Sequence, residues 1–231
     1  MKKVLSVALV AALAGGSLAV QAHEKGDMII RFGATTVEPD ADSDAINLPG
    51  VPTLRADVDD DTQLGIIPAW MITDKIGLEL LAATPFEHDI SVGGDGVNLD
   101  AGSTKHLPPT LSVQWYPRGA KDGWQPYVGL GVNYTTFFSE KTSSDLDAVL
   151  GDVLGATGSD LDLDDSFGLS VSAGVDIPLG ENWSLNAGVW YIDIDTTAEV
   201  TAKFEDGSRA KVKFDVDIDP WVYNVGIAYR F

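Results

Sequence analysis

Trp221-Val222-Tyr223-Asn224-Val225-Gly226-Ile227-Ala228-Tyr229-Arg230-Phe231 carries a large apolar or aromatic side chain at every odd position. Its even positions are small or polar, Val222 apart. Side chains of a strand alternate between its two faces, so this period of two makes one face wholly apolar, with aromatics at both of its ends. A soluble sandwich could use such a strand. About ten alternating residues flanked by aromatics is, however, what a membrane-crossing β-strand requires.

The other end of the chain agrees. Lys2 and Lys3 precede an apolar run from Val4 to Leu13, and Val20-Gln21-Ala22 offers small residues for cleavage. Residues 1–22 therefore read as a secretory signal, leaving 23–231 as one domain. No later stretch approaches the ~18 continuous apolar residues of a spanning helix, so a membrane reading must be a barrel. Zero cysteines in an exported chain exclude disulfides as the source of stability. A formal charge of −20, concentrated in residues 38–61 and 140–165, repels nucleic acid.

Eight strand-like segments follow: 27–37, 60–73, 76–90, 104–116, 125–138, 163–178, 183–203 and 210–231. Short joints alternate with long polar ones (38–59, 91–103, 139–162) and a shorter loop at 204–209. This predicts an all-β fold, an eight-stranded antiparallel transmembrane β-barrel with short periplasmic turns and long acidic extracellular loops. An even strand number lets the first and last strands pair, leaving no edge for lipid to meet. Parity sends Arg31, Glu79, Asp176 and Arg230 inward near the short turns, where they are expected to pair and plug the periplasmic side.

The pattern reverses along the last two strands. From Trp183 to Tyr191 the odd positions are apolar; from Ile192 to Phe204 the even ones are, including Ile192, Ile194 and Val200. Val216 and Ile218 mirror this against Asp215, Asp217 and Asp219. A β-bulge at Asp219-Pro220 is one account. Switching at matching heights favours the other: the wall continues beyond the bilayer with a wetted outside and an apolar inside suited to a hydrophobic ligand.

Lys105-His106-Leu107-Pro108-Pro109-Thr110-Leu111, Gln114-Trp115-Tyr116, Pro126-Tyr127-Val128-Gly129, the stretch Val189-Trp190-Tyr191-Ile192-Asp193-Ile194-Asp195-Thr196-Thr197, Asp219-Pro220-Trp221 and Tyr229-Arg230-Phe231 together resemble the outer-membrane protein W family. So do Asn133–Phe138 and Glu79–Phe86, and only the acidic loops 38–61 and 139–165 diverge clearly. The resemblance implies an eight-stranded outer-membrane barrel for passive uptake of small hydrophobic molecules. Its apolar tunnel would open outward, be blocked toward the periplasm and exit sideways into the bilayer. By motif, the tunnel-narrowing residues fall on Leu81 and Trp190, which share the inward parity of Glu79 and Asn186. Pro108 and Pro109 fit the lateral exit, because proline cannot donate to a ladder. The alternative for that pair is a kink at a strand start.

No cofactor and no metal site are expected. His23, His88 and His106 lack zinc-site spacing, and the acidic runs lack the Gly and Glu of a calcium loop. No residue set points to an enzyme. Residues 143–161 read either as an amphipathic helix capped by Ser144, lying as a lid, or as a disordered acidic loop. Expected partners are outer-membrane lipid and lipopolysaccharide, small hydrophobic solutes, and barrel-assembly machinery through the C-terminal strand. A structural or surface-interaction barrel, whose acidic loops bind cations, lipopolysaccharide or a protein, is the rival function.

Overall fold

The computed structural model describes residues 23–46, 53–94 and 97–231; the expected signal segment 1–22 lies outside them. Chain order is β1 (Met28–Glu38), β2 (Asp42–Ser43), β3 (Arg55–Val58), β4 (Asp61–Met71), β5 (Ile76–Leu81), β6 (Phe86–Gly94), β7 (Val97–Leu107), β8 (Thr110–Trp115) and β9 (Gln125–Thr142). Then come α1 (Ser144–Leu154), β10 (Gly158–Leu163), β11 (Ser166–Pro178), β12 (Trp183–Ile192), β13 (Asp195–Lys203), β14 (Arg209–Asp217) and β15 (Trp221–Arg230).

Eight of these close a ring. The order β1-β4-β5-β8-β9-β11-β12-β15 returns to β1, and every pairing is antiparallel. Closure leaves no unpaired edge in the lipid zone. The outer face shows why the sequence alternates: Leu64, Val113, Leu130, Leu169 and Val225 stand exposed around the ring. Trp183, Tyr229 and Phe231 cluster at the turn end, and Tyr191 leans on Trp221 at the other. Trp183 faces Tyr229, and Tyr191 faces Trp221. The separation is about 27 Å along the strand, or ~20 Å of height once tilted, which matches an aromatic-bounded apolar belt.

Above the belt the wall continues. Each of five segments read as a single strand is two strands with a short break, at 82–85, 108–109, 164–165, 193–194 and 218–220. Three expected loops also contribute structure: β6 and β7 pair as a hairpin, β2 and β3 extend the rim, and β10 pairs with β13. The β-bulge account of the reversed pattern does not hold. Tyr191 faces Trp221 and Asp195 faces Asp217, with three residues between on each chain, so none is inserted. Even-numbered residues therefore point inward along the whole of β12–β13 and β14–β15. What changes is the surroundings of each face, not its direction.

α1 begins one residue earlier than the sequence reading. Ser143, not Ser144, is the cap, its hydroxyl accepting from the Leu146 amide at 3.0 Å, and Gly155 ends the helix at φ 76°. Residues 158–161, expected as its last turn, are strand β10.

Candidate functional site: an apolar cavity above a charged plug

Three layers fill the lumen. At the turn end, Arg31 sits fully buried beneath two carboxylates. Its Nη1 donates to Glu79 Oε2 at 2.7 Å, while Nε and Nη2 fork onto the two oxygens of Asp176 at 3.1 and 2.7 Å. Nη2 also donates to the Tyr116 hydroxyl, and the guanidinium lies 4.7 Å from the Tyr127 ring centre. Asn186 and His23 complete the Asp176 shell. A bidentate Arg–carboxylate pair is the arrangement that makes burying three charges tolerable, because the fork satisfies both partners.

Arg230 does not join this network, against expectation. It ends β15, and its long side chain reaches the rim, 3.5 Å from Asp27 and donating to the Glu181 carbonyl. His23, Tyr116 and Tyr127 take part without having been foreseen. For the two tyrosines, parity with Gln114 and Asn133 was the available signal. For His23, ahead of the first strand, none existed.

The second layer is a close-packed apolar floor. Leu81, Trp190, Ile192 and Ile194 lie in it with Val37, Ile67, Phe86, Phe137 and Val222, all buried. These four were expected to line an open tunnel. Instead they fill the cross-section, because an eight-strand lumen is narrow enough for side chains to meet across it. Trp190 Nε1 donates to Glu79 Oε1 at 3.3 Å, joining floor to plug.

The third layer is an apolar cavity that opens outward. Val200, Val216 and Ile218 line it, with Phe214, Val212 and Ala202 on the same side. Ile90, Val92, Leu99 and Ala101 from the β6–β7 hairpin face them. Leu146, Val149, Leu150 and Leu154 of α1 and Leu161 of β10 also line it. The helix thus covers part of the cavity with the face that its 3–4 spacing made apolar. Outside the same wall, Glu199 binds Lys211 and Lys213, which keeps that surface wetted.

A seam interrupts the wall where β5 gives way to β6 and β7 to β8. Pairing of β5 with β8 ends at Leu81–Thr110, and that of β6 with β7 begins at Phe86–His106. Four residues (82–85) oppose three (107–109), and Pro108 and Pro109 have no amide hydrogen to offer. The flanking ladders stay closed: Ile66 donates to the Ala82 carbonyl at 2.8 Å, and Tyr134 to that of Pro109 at 3.2 Å. A small second hollow lined by Leu81, Ala82, Ala83, Phe86 and Pro108 lies against the seam.

Near the outer aromatic belt, carboxylate oxygens of Asp193, Asp195 and Asp219 lie within 4.8 Å of one another. Asp219 adopts φ 39° and accepts from Tyr191 Oη at 3.0 Å.

The OmpW family model matches residues 24–231. Outer membrane protein W of Vibrio cholerae is 44% identical over 230 residues, covering 99% of this chain and 98% of that one. The Escherichia coli protein of the same name is 41% identical over the full length of both. The crystal structure of OprG from Pseudomonas aeruginosa superposes with a TM-score of 0.79 at 44% identity, covering 91% of this chain and 98% of that one.

Proposed function

The chain belongs to the OmpW family and is an outer-membrane β-barrel, and from that premise we propose that it carries small hydrophobic molecules passively across the polar outer layer of the membrane. The observation that supports this most is the cavity: an apolar chamber standing above the lipid belt, on a wall whose outer surface is charged. Folding gains nothing from an unfilled oily space exposed toward water, whereas a hydrophobic solute gains roughly 25 cal/mol per Å² buried there.

The same gradient supplies the driving force, so no energy source is required. Arg31, Glu79 and Asp176 plug the downward path, and water and ions do not follow the solute. Release is sideways, through the seam between 82–85 and Pro108-Pro109, beside which the floor residues Leu81 and Phe86 line a small hollow. Trp190, Ile192 and Ile194 set the depth to which a solute descends. Lipopolysaccharide surrounds the upper wall, and the alternating terminal strand is the segment offered to the assembly machinery.

The test is transfer of a fluorescent hydrophobic probe into vesicles with a lipopolysaccharide outer leaflet, with and without the full-length barrel. Faster transfer with the barrel, at unchanged leakage of a polar dye, supports the reading. Equal rates would leave a barrel that serves only to display its loops.

A further inference from the structure

The wall of the cavity is almost wholly hydrocarbon. Among the described residues lining it, only His88, Thr104, His106 and Thr196 carry polar side-chain atoms, and all four are more than nine-tenths buried. Their hydrogen-bonding groups are turned to the protein. The Thr104 and Thr196 hydroxyls donate to the backbone carbonyls of Lys105 and Asp164. The two imidazoles join Nε2 to Nε2 at 2.9 Å, and His88 Nδ1 donates to the Asp59 carbonyl. His106 Nδ1 is itself enclosed, and the rings of Phe86 and Phe137 pack on that imidazole.

The main chain is no more available. In β6–β7, β10–β13 and β13–β14 the peptide groups lie in the plane of the sheet, directed along the ladders rather than at the cavity. Those of α1 run along the helix axis, and it is the leucine and valine side chains that face inward. A solute that enters therefore finds nothing to replace the hydrogen bonds its own polar groups leave behind in water. A medium such as octanol recovers much of that loss because it can hydrogen-bond in turn, whereas a pure hydrocarbon recovers none.

We propose that the cavity is a hydrocarbon filter: it favours solutes without hydrogen-bonding groups over solutes of the same size that carry even one hydroxyl or amine. The inference rests on the uptake reading above and narrows its substrate class. Selection is by unmet hydrogen bonding rather than by shape, so an alcohol, a phenol and an aromatic amine are all held back. The effect is bounded, since an apolar pocket turns away an isostere bearing a hydroxyl by no more than about a hundredfold.

Equilibrium binding of 1-methylnaphthalene, 1-naphthol and 1-naphthylamine to the purified full-length barrel tests this, each probe being compared with its own partition into protein-free micelles. The three differ in a single group of nearly equal size. 1-Methylnaphthalene is expected to bind about tenfold or more tightly than either analogue, over and above the preference of the micelle. Val200→Thr keeps the shape of a side chain on the cavity wall and adds one hydroxyl to it. It should cut the margin over 1-naphthol several-fold by strengthening 1-naphthol binding alone. A wild-type margin no larger than the micelle's would overturn the filter while leaving the cavity reading standing, and so would a margin unchanged in V200T. Binding of none of the three would overturn both.

Discussion

Trp190 Nε1 donates to Glu79 Oε1 across 3.3 Å, and this bond spans the boundary between the oily upper lumen and the charged lower one. Both side chains are almost wholly buried. The bond therefore leaves Glu79 satisfied on one oxygen by Trp190 and on the other by Arg31. Trp190→Phe keeps most of the packing but strips one partner from a buried carboxylate. A loss of about 1–3 kcal/mol in urea unfolding of the lipid-reconstituted barrel is expected. An unchanged midpoint would mean that the indole only fills space.

The two carboxylates on Arg31 should not be equal. Asp176 receives two guanidinium bonds, the Asn186 amide and His23; Glu79 receives one from Arg31 and one from Trp190. Asp176→Asn is predicted to cost about 3–5 kcal/mol, the usual penalty for unpairing a buried ion, and Glu79→Gln less. The same unfolding measurement checks the order, and the reverse order would count against the fork as the organising contact.

Val212 stands on the cavity wall yet is 38% exposed, so a charge there is tolerated by the fold. Val212→Asp should lower delivery of a hydrophobic probe about tenfold or more, because the solute must then share its chamber with a carboxylate. Its neighbour Asp215 points outward and pairs with Thr197. Asp215→Asn should leave delivery within twofold. Comparable losses in both variants would tie uptake to the loops rather than the lumen.

Ala83 lies half-buried in the hollow against the seam. Ala83→Phe should slow transfer of captured probe to the surrounding lipid several-fold in stopped-flow measurements. No change in that rate would argue for release by another route.

His106 supplies a pH prediction. Burial is the main cause of its low pKa, His88 adds to it, and Asp61 opposes both. A base whose folded pKa lies below its unfolded value of ~6.5 contributes stability that is complete above that value. As pH falls from ~6.5 toward 3, the unfolded chain takes up a proton that the folded one refuses, and the contribution is lost. In a ¹H NMR titration, the His106 ring should show no midpoint above pH 5; a midpoint near 6.5 would show an open, hydrated upper barrel.

Much of this molecule was legible because lipid imposes a strict alternation on every strand it touches. The belt residues from Met28 to Trp221 and the inward set Arg31, Glu79 and Asp176 all follow from parity. The alternation also hid what lies above. The breaks at 164–165 and 193–194 carry no proline, whereas Pro85, Pro108-Pro109 and Pro220 marked the other three by residue type. Ile90, Val92, Leu99 and Leu161 line the cavity from segments whose acidic neighbours made them read wholly or partly as loops. Those acids face water on the outside of a continuing wall. The packed floor was missed for another reason: parity tells which way Ile192 and Ile194 point, but not that partners across a narrow lumen meet them.

Intermolecular NOEs between 1-methylnaphthalene and assigned methyl groups of the barrel in lipid test the account at its centre. Saturable NOEs to Val200, Val216 and Ile218, appearing before those to the outer-belt residues Leu130 and Leu169, are predicted. NOEs confined to Leu130 and Leu169 at every probe concentration would place the solute only in lipid and contradict the chamber.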